Sequence, residues 1–135
     1  MPPTTSRDFQ KAAAQRLTTA EALLRERLPL DAQYLGGYTI ECSLKALIMG
    51  RTPDPDKPDT LKKLTAGAKM HRPDVLLVEL RNLGVALPLV LAKRMRQFEW
   101  TTDLRYETGR RDTGETTAFL TTAKAIYDWV EGQLP

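Results

Sequence analysis

Histidine and cysteine occur once each in the 135 residues, as His71 and Cys42. A single thiol excludes an internal disulfide. A single imidazole with no clustered partners excludes the ligand sets that zinc uses, and Cys/His nucleophilic catalysis with them. No apolar run approaches the roughly 20 residues needed to span a bilayer, and the opening MPPTTSRDFQ has no apolar signal core. A GxxxxGK[ST] phosphate loop is absent, and no Asn-Gly or Asp-Gly turn links alternating runs, so neither a P-loop nor a β-hairpin is expected. These absences predict a cytoplasmic chain with no metal, no cofactor and no membrane contact.

What is present is modest in charge and sufficient in size. A net charge of +3 and a pI near 9.1 leave nucleic acid open without arguing for it, and no DNA-specific motif occurs. The length suits one domain, residues 1–135, that buries a core without staples.

Apolar spacing of three and four predicts a helix from Thr5 to Leu28, carried by Phe9, Ala13, Leu17, Ala20 and Leu24. Pro29 is read as its end. Asp31 is the expected N-cap of a second helix that runs to about Met49 and stops at Gly50. The stretch from Gly50 to Thr60, rich in proline and aspartate, is expected to be a loop. A weak helix follows from Leu61 to Met70, then a clearer one from Val75 to Leu83 closed by Gly84. Leu89 to about Phe98 is helical, Trp100 to Asp112 a connecting loop, and Gly114 to Gln133 the last helix. The sum is an all-α fold: an antiparallel up-and-down bundle of four main helices plus one or two short ones.

Within the second helix, YLGGYTIECSLKALI sets a Glu and a Lys four residues apart in apolar surroundings. At 100° per residue, Tyr34, Tyr38, Glu41 and Lys45 share a strip about 60° wide. Ile40, Leu44, Leu47 and Ile48 form an aliphatic face, and Gly36, Thr39, Ser43 and Ala46 a face of small residues that another helix can approach. With almost no solvated side, this is the expected central helix. Cys42 is read as a buried thiol that packs as a small hydrophobe. The Gly36–Gly37 pair implies close approach by a neighbouring helix or a subunit, since each Gly costs about 1 kcal/mol relative to Ala.

An exposed Glu41–Lys45 pair is worth about 0.2–0.5 kcal/mol. If buried, it costs desolvation that attraction barely offsets, and so points to specificity or a site rather than to stability. A second polar concentration runs from Trp100 through Asp103, Arg105, Tyr106 and Glu107 to Arg110 and Arg111. A guanidinium beside aromatics binds phosphate or stacks on a base; it equally ties a loop to a carboxylate such as Glu41. His71 has no carboxylate among its neighbours Met70, Arg72 and Pro73, so a structural or surface role is expected for it.

Several segments together resemble the HEPN family (higher eukaryotes and prokaryotes nucleotide-binding). They are Arg16, Ala20 and Leu24 in the first helix, and Tyr34-x-x-x-Tyr38-x-x-Glu41-Cys42-x-Leu44-Lys45-Ala46-Leu47-Ile48 in the second. His71 with the leucines after it, the Leu-Gly-Val-Ala-Leu-Pro stretch, and Arg105-Tyr106 before the last helix complete the set. GYTIECSLKALI is similar to the GYxxExxLKA signature of small prokaryotic members. The resemblance implies a helical bundle, a homodimer, and association with a minimal nucleotidyltransferase, as its partner or as the toxin of a toxin–antitoxin pair. Many members are ribonucleases with an Arg-x4-6-His motif near the last helix. Here Arg105 is followed by Tyr106-Glu-Thr-Gly-Arg110-Arg111, and no His occurs after His71. The resemblance therefore implies a nucleotide-, RNA- or partner-binding member with no catalytic residue and a polar centre of Tyr38, Glu41, Lys45, Arg105 and Tyr106. On the family pattern, Arg105 and Lys45 contact phosphate or an acidic partner. The residues themselves leave open an internal network that holds the loop to the second helix. The rival expectation is a divergent ribonuclease toxin working through Arg105 with His71 or Tyr106.

Overall fold

Thr5 starts the first helix through a capping box: its hydroxyl accepts from the Asp8 amide at 3.1 Å, and the Asp8 carboxylate accepts from the Thr5 amide at 3.2 Å. In the computed structural model, which describes residues 1–135, this helix is α1, Ser6–Arg25. It ends before the expected Leu28 because Arg27 takes a left-handed φ of 62° and turns the chain. Pro29 does not close α1 but opens α2, Pro29–Arg51, at the position where a missing N–H forfeits no helical bond. Leu28, without a side-chain hydrogen bond, takes the cap position expected of Asp31, which lies in the first turn. The helix also runs through Gly50, where the Leu134 side chain presses too close for a Cβ.

The proline-rich stretch after α2 holds more structure than a loop. A 3₁₀ turn at Asp54–Asp56 leads into α3, Lys57–Leu64, with Pro58 in the tolerated first turn. The expected helix from Leu61 to Met70 is therefore displaced toward the N-terminus. Gly67, at φ 85°, breaks it from a second 3₁₀ turn, Ala68–His71. Next come α4, Pro73–Asn82, followed by Gly84 at φ 78°, and α5, Leu89–Gln97. Thr102–Tyr106 is a 3₁₀ turn inside the expected connecting loop, and α6 spans Thr113–Gln133 behind an Asp112 cap. The fold is all-α, as expected. Its six α-helices form the bundle, with 20, 23 and 21 residues in the long α1, α2 and α6 and shorter α3, α4 and α5 beside them.

The three-residue link between α1 and α2 forces them antiparallel, and the Ser6 hydroxyl donates to the Ala46 carbonyl at 2.7 Å across their ends. Helix α6 returns beside both: Arg7 Nη1 reaches Glu131 at 2.6 Å and Nη2 the Pro135 carbonyl at 2.7 Å. Helix α2 is the central element, with 15 of its 23 residues buried and with α1, α3, α4 and α6 against it. Ile40, Leu44 and Leu47 are inaccessible, and Leu76, Leu80, Phe119, Ile126 and Val130 close over them from α4 and α6. Each such side chain contributes about 1.5–3 kcal/mol on burial. On the small-residue face, the Thr39 hydroxyl donates to the Ala13 carbonyl at 3.2 Å, which sets α1 against Thr39, while Leu120 of α6 closes on Gly36.

Candidate functional site

The shared strip of α2 places Tyr34, Tyr38, Glu41 and Lys45 in a row, and the fold covers them unequally. Glu41 and Lys45 are each only 4% exposed, with Lys45 Nζ 3.0 Å from Glu41 Oε2. His71 joins them from the second 3₁₀ turn, its Nδ1 3.2 Å from both carboxylate oxygens. The imidazole is half-exposed. The expectation that His71 lacks an orienting carboxylate is thus corrected. Its partner lies 30 residues earlier in the chain, beyond any local reading. With the proton on Nδ1, the ring donates to Glu41 and presents the Nε2 lone pair on the other edge.

One turn back, the Tyr34 and Tyr38 hydroxyls lie 3.2 Å apart and their rings meet edge to face at 5.1 Å. Trp100 packs on both, 5.2 Å from the Tyr38 centroid and 6.5 Å from that of Tyr34. Its Nε1 donates to the Tyr34 carbonyl at 3.2 Å. The indole lies against the backbone at Gly37, where a Cβ would fall 1.9 Å from a ring carbon. Glu99 adopts φ 44° just before it, which turns the chain so that Trp100 points inward. The Gly-Gly pair is therefore explained by an indole on Gly37 and by Leu120 and Phe119 of α6 on Gly36.

Burial holds the Tyr38 hydroxyl well above the ordinary tyrosine range. The Tyr34 hydrogen bond and the Glu41 charge push the same way, and Arg105 opposes them. Tyr38 thus stands within the fields of both Glu41 and Arg105. Arg105 itself is exposed, with its guanidinium 4.9 Å from the centre of the Tyr106 ring, which is 75% exposed. Arg105 belongs to none of the ion pairs. The loop's own pair joins Arg111 to Glu107.

The five residues singled out in the sequence thus fall into two sets. Glu41 and Lys45 form a buried charge pair, to which the sequence reading did not attach His71. Arg105 and Tyr106 form an exposed stack, and Tyr38 lies between the sets without a hydrogen bond to either. The loop is fastened to α2 by Trp100, not by Arg105. No group of three His, Cys, Asp or Glu side chains converges to hold a metal ion. The two cavities beside Trp100, of about 100 and 340 Å³, are lined by none of the five. The site is a polar strip edged by an exposed arginine rather than a pocket.

No curated protein and no solved structure gives a significant match to the chain. The HEPN domain, by contrast, matches residues 6–133, a span running from the first residue of α1 to the last of α6. The chain belongs to the HEPN domain family.

Proposed function

We propose that this HEPN domain is a binding module, a homodimeric partner of a minimal nucleotidyltransferase whose exposed Arg105–Tyr106 stack meets a phosphate of a nucleotide or RNA. The observation that carries this reading is the state of Arg105: exposed, stacked on an aromatic ring and paired with no carboxylate. A guanidinium held on a ring keeps its hydrogen-bonding edge free for two oxygens of a phosphate. Lys45 does not share that role, because its ammonium is buried on Glu41. The Glu41–Lys45 pair lies apart from the stack, buried on α2 with His71 as its further partner. No histidine follows Arg105 to act as the acid or base of RNA cleavage.

Co-expression with a nucleotidyltransferase encoded next to it should yield a stable complex, and a nucleotide should raise the melting temperature of the wild type but not of Arg105→Ala. A chain with no such neighbour and no nucleotide-dependent shift ends this reading. One observation favours the divergent ribonuclease toxin as a second reading: the carboxylate-held His71 has the arrangement of a positioned proton carrier. Growth arrest on expression, relieved by His71→Ala and Arg105→Ala alike, would establish it in place of the first.

A further inference from the structure

The turn between α4 and α5 carries an apolar surface that the polar strip does not use. Residues 83–90, Leu-Gly-Val-Ala-Leu-Pro-Leu-Val, contain no polar or charged side chain. Only Leu87 among them is buried. Leu89 is 64% exposed, Val90 59% and Leu83 36%, and Val78 on α4 adds a further apolar side chain at 47%. These four make up most of the large hydrophobic side chains that the fold leaves in solvent. Scattered exposed apolar residues need no explanation, but a run of them on one turn marks a contact surface.

Charge selects the occupant. From Leu80 to Phe98 the chain has four cations, Arg81, Lys93, Arg94 and Arg96, and no acidic residue. All four cations are exposed and none forms an ion pair. The nearest carboxylate on α4, Glu79, is held by Lys63 at 2.8 Å. The first turn of α5 is also uncapped by any side chain. A second copy meeting this surface through its own would set cation against cation, which opposes a symmetric self-contact.

We propose that the α4–α5 turn is a docking surface for an acidic, apolar-faced segment of a different protein, with Leu89 and Val90 as the apolar anchors and Arg81, Lys93 and Arg94 as the charged rim. The assignment is independent of the Arg105 site. The rim governs encounter and salt dependence, and the anchors govern the lifetime of the complex.

The test uses the full chain, isotope-labelled for amide NMR, and a synthetic amphipathic helix with a leucine stripe and a glutamate face. Saturable shifts confined to residues 78–94, lost in high salt and absent with a lysine-faced helix of the same stripe, are the expected result. Leu89→Ser/Val90→Ser should weaken binding about tenfold or more while the remaining amide spectrum stays folded. Arg105→Ala should leave it unchanged. Three outcomes overturn the proposal: equal binding of both helices, concentration-dependent self-association abolished by Leu89→Ser/Val90→Ser, or binding of anionic lipid vesicles through the same residues with no response to the acidic helix.

Discussion

At the scale of single residues, the decisive group is Glu41, which satisfies Lys45 and His71 at once. Placing an ammonium and a carboxylate at 4% exposure costs several kcal/mol per ion in lost hydration, and the 3.0 Å contact returns it only while both partners are present. Removing one partner by Glu41→Gln or Lys45→Met should therefore lower unfolding free energy by about 3–5 kcal/mol, and the double substitution should lose less than the two singles together. Glu41→Gln should be the worse single change, because it strands Lys45 without a counter-charge while Lys45→Met leaves Glu41 its contact with His71. Denaturant titration of the three variants measures this, and additive losses would refute the coupling. Spacing in the sequence reveals the Glu41–Lys45 pair, since residues four apart on a helix are neighbours. It does not reveal His71, which reaches the pair only through the fold.

At the scale of elements, α1, α4, α5 and α6 are visible in the sequence because a period of three and four runs through each and ends at recognisable punctuation, such as Gly84 after α4. The junction at Pro29 is misread for a physical reason: proline terminates one helix and begins another equally well, and only the left-handed turn at Arg27 decides between them. Helix α3 hides in a proline-rich run for the same reason. The segment from α5 to α6 is the hardest element to read, since Phe98, Trp100 and Leu104 hold it by contacts that no sequence period announces. The Gly37 backbone meets the Trp100 ring so closely that Gly37→Ala must push the indole off α2. The expected loss is about 1–3 kcal/mol, typical of overpacking, with a red-shifted Trp100 emission read in a Trp129→Phe background. An unshifted spectrum with unchanged stability would mean that Trp100 does not fasten the segment.

At the scale of the whole molecule, the centre of the α2 face ties stability to alkaline pH. Cys42 is partly buried rather than fully buried as expected, and that burial, with the Glu41 charge adding to it, pushes its thiol from its ordinary 9.0 up to about 12. The folded chain thus holds this proton to higher pH than the unfolded chain, and the raised Tyr38 hydroxyl does the same. The stabilisation is fully present below pH 9.0 and is lost as pH rises toward about 12. Unfolding free energy should fall across that range, and Cys42→Ala should flatten the decline. An identical slope in the variant would exclude the thiol as its source. The contact between Gly37 and Trp100 also limits how relatives of this chain can diverge. A ring that fills the volume of a Cβ makes the two positions a single heritable unit: a descendant that keeps the tryptophan must keep the glycine, and one that gains a side chain at 37 must first have lost the ring at 100.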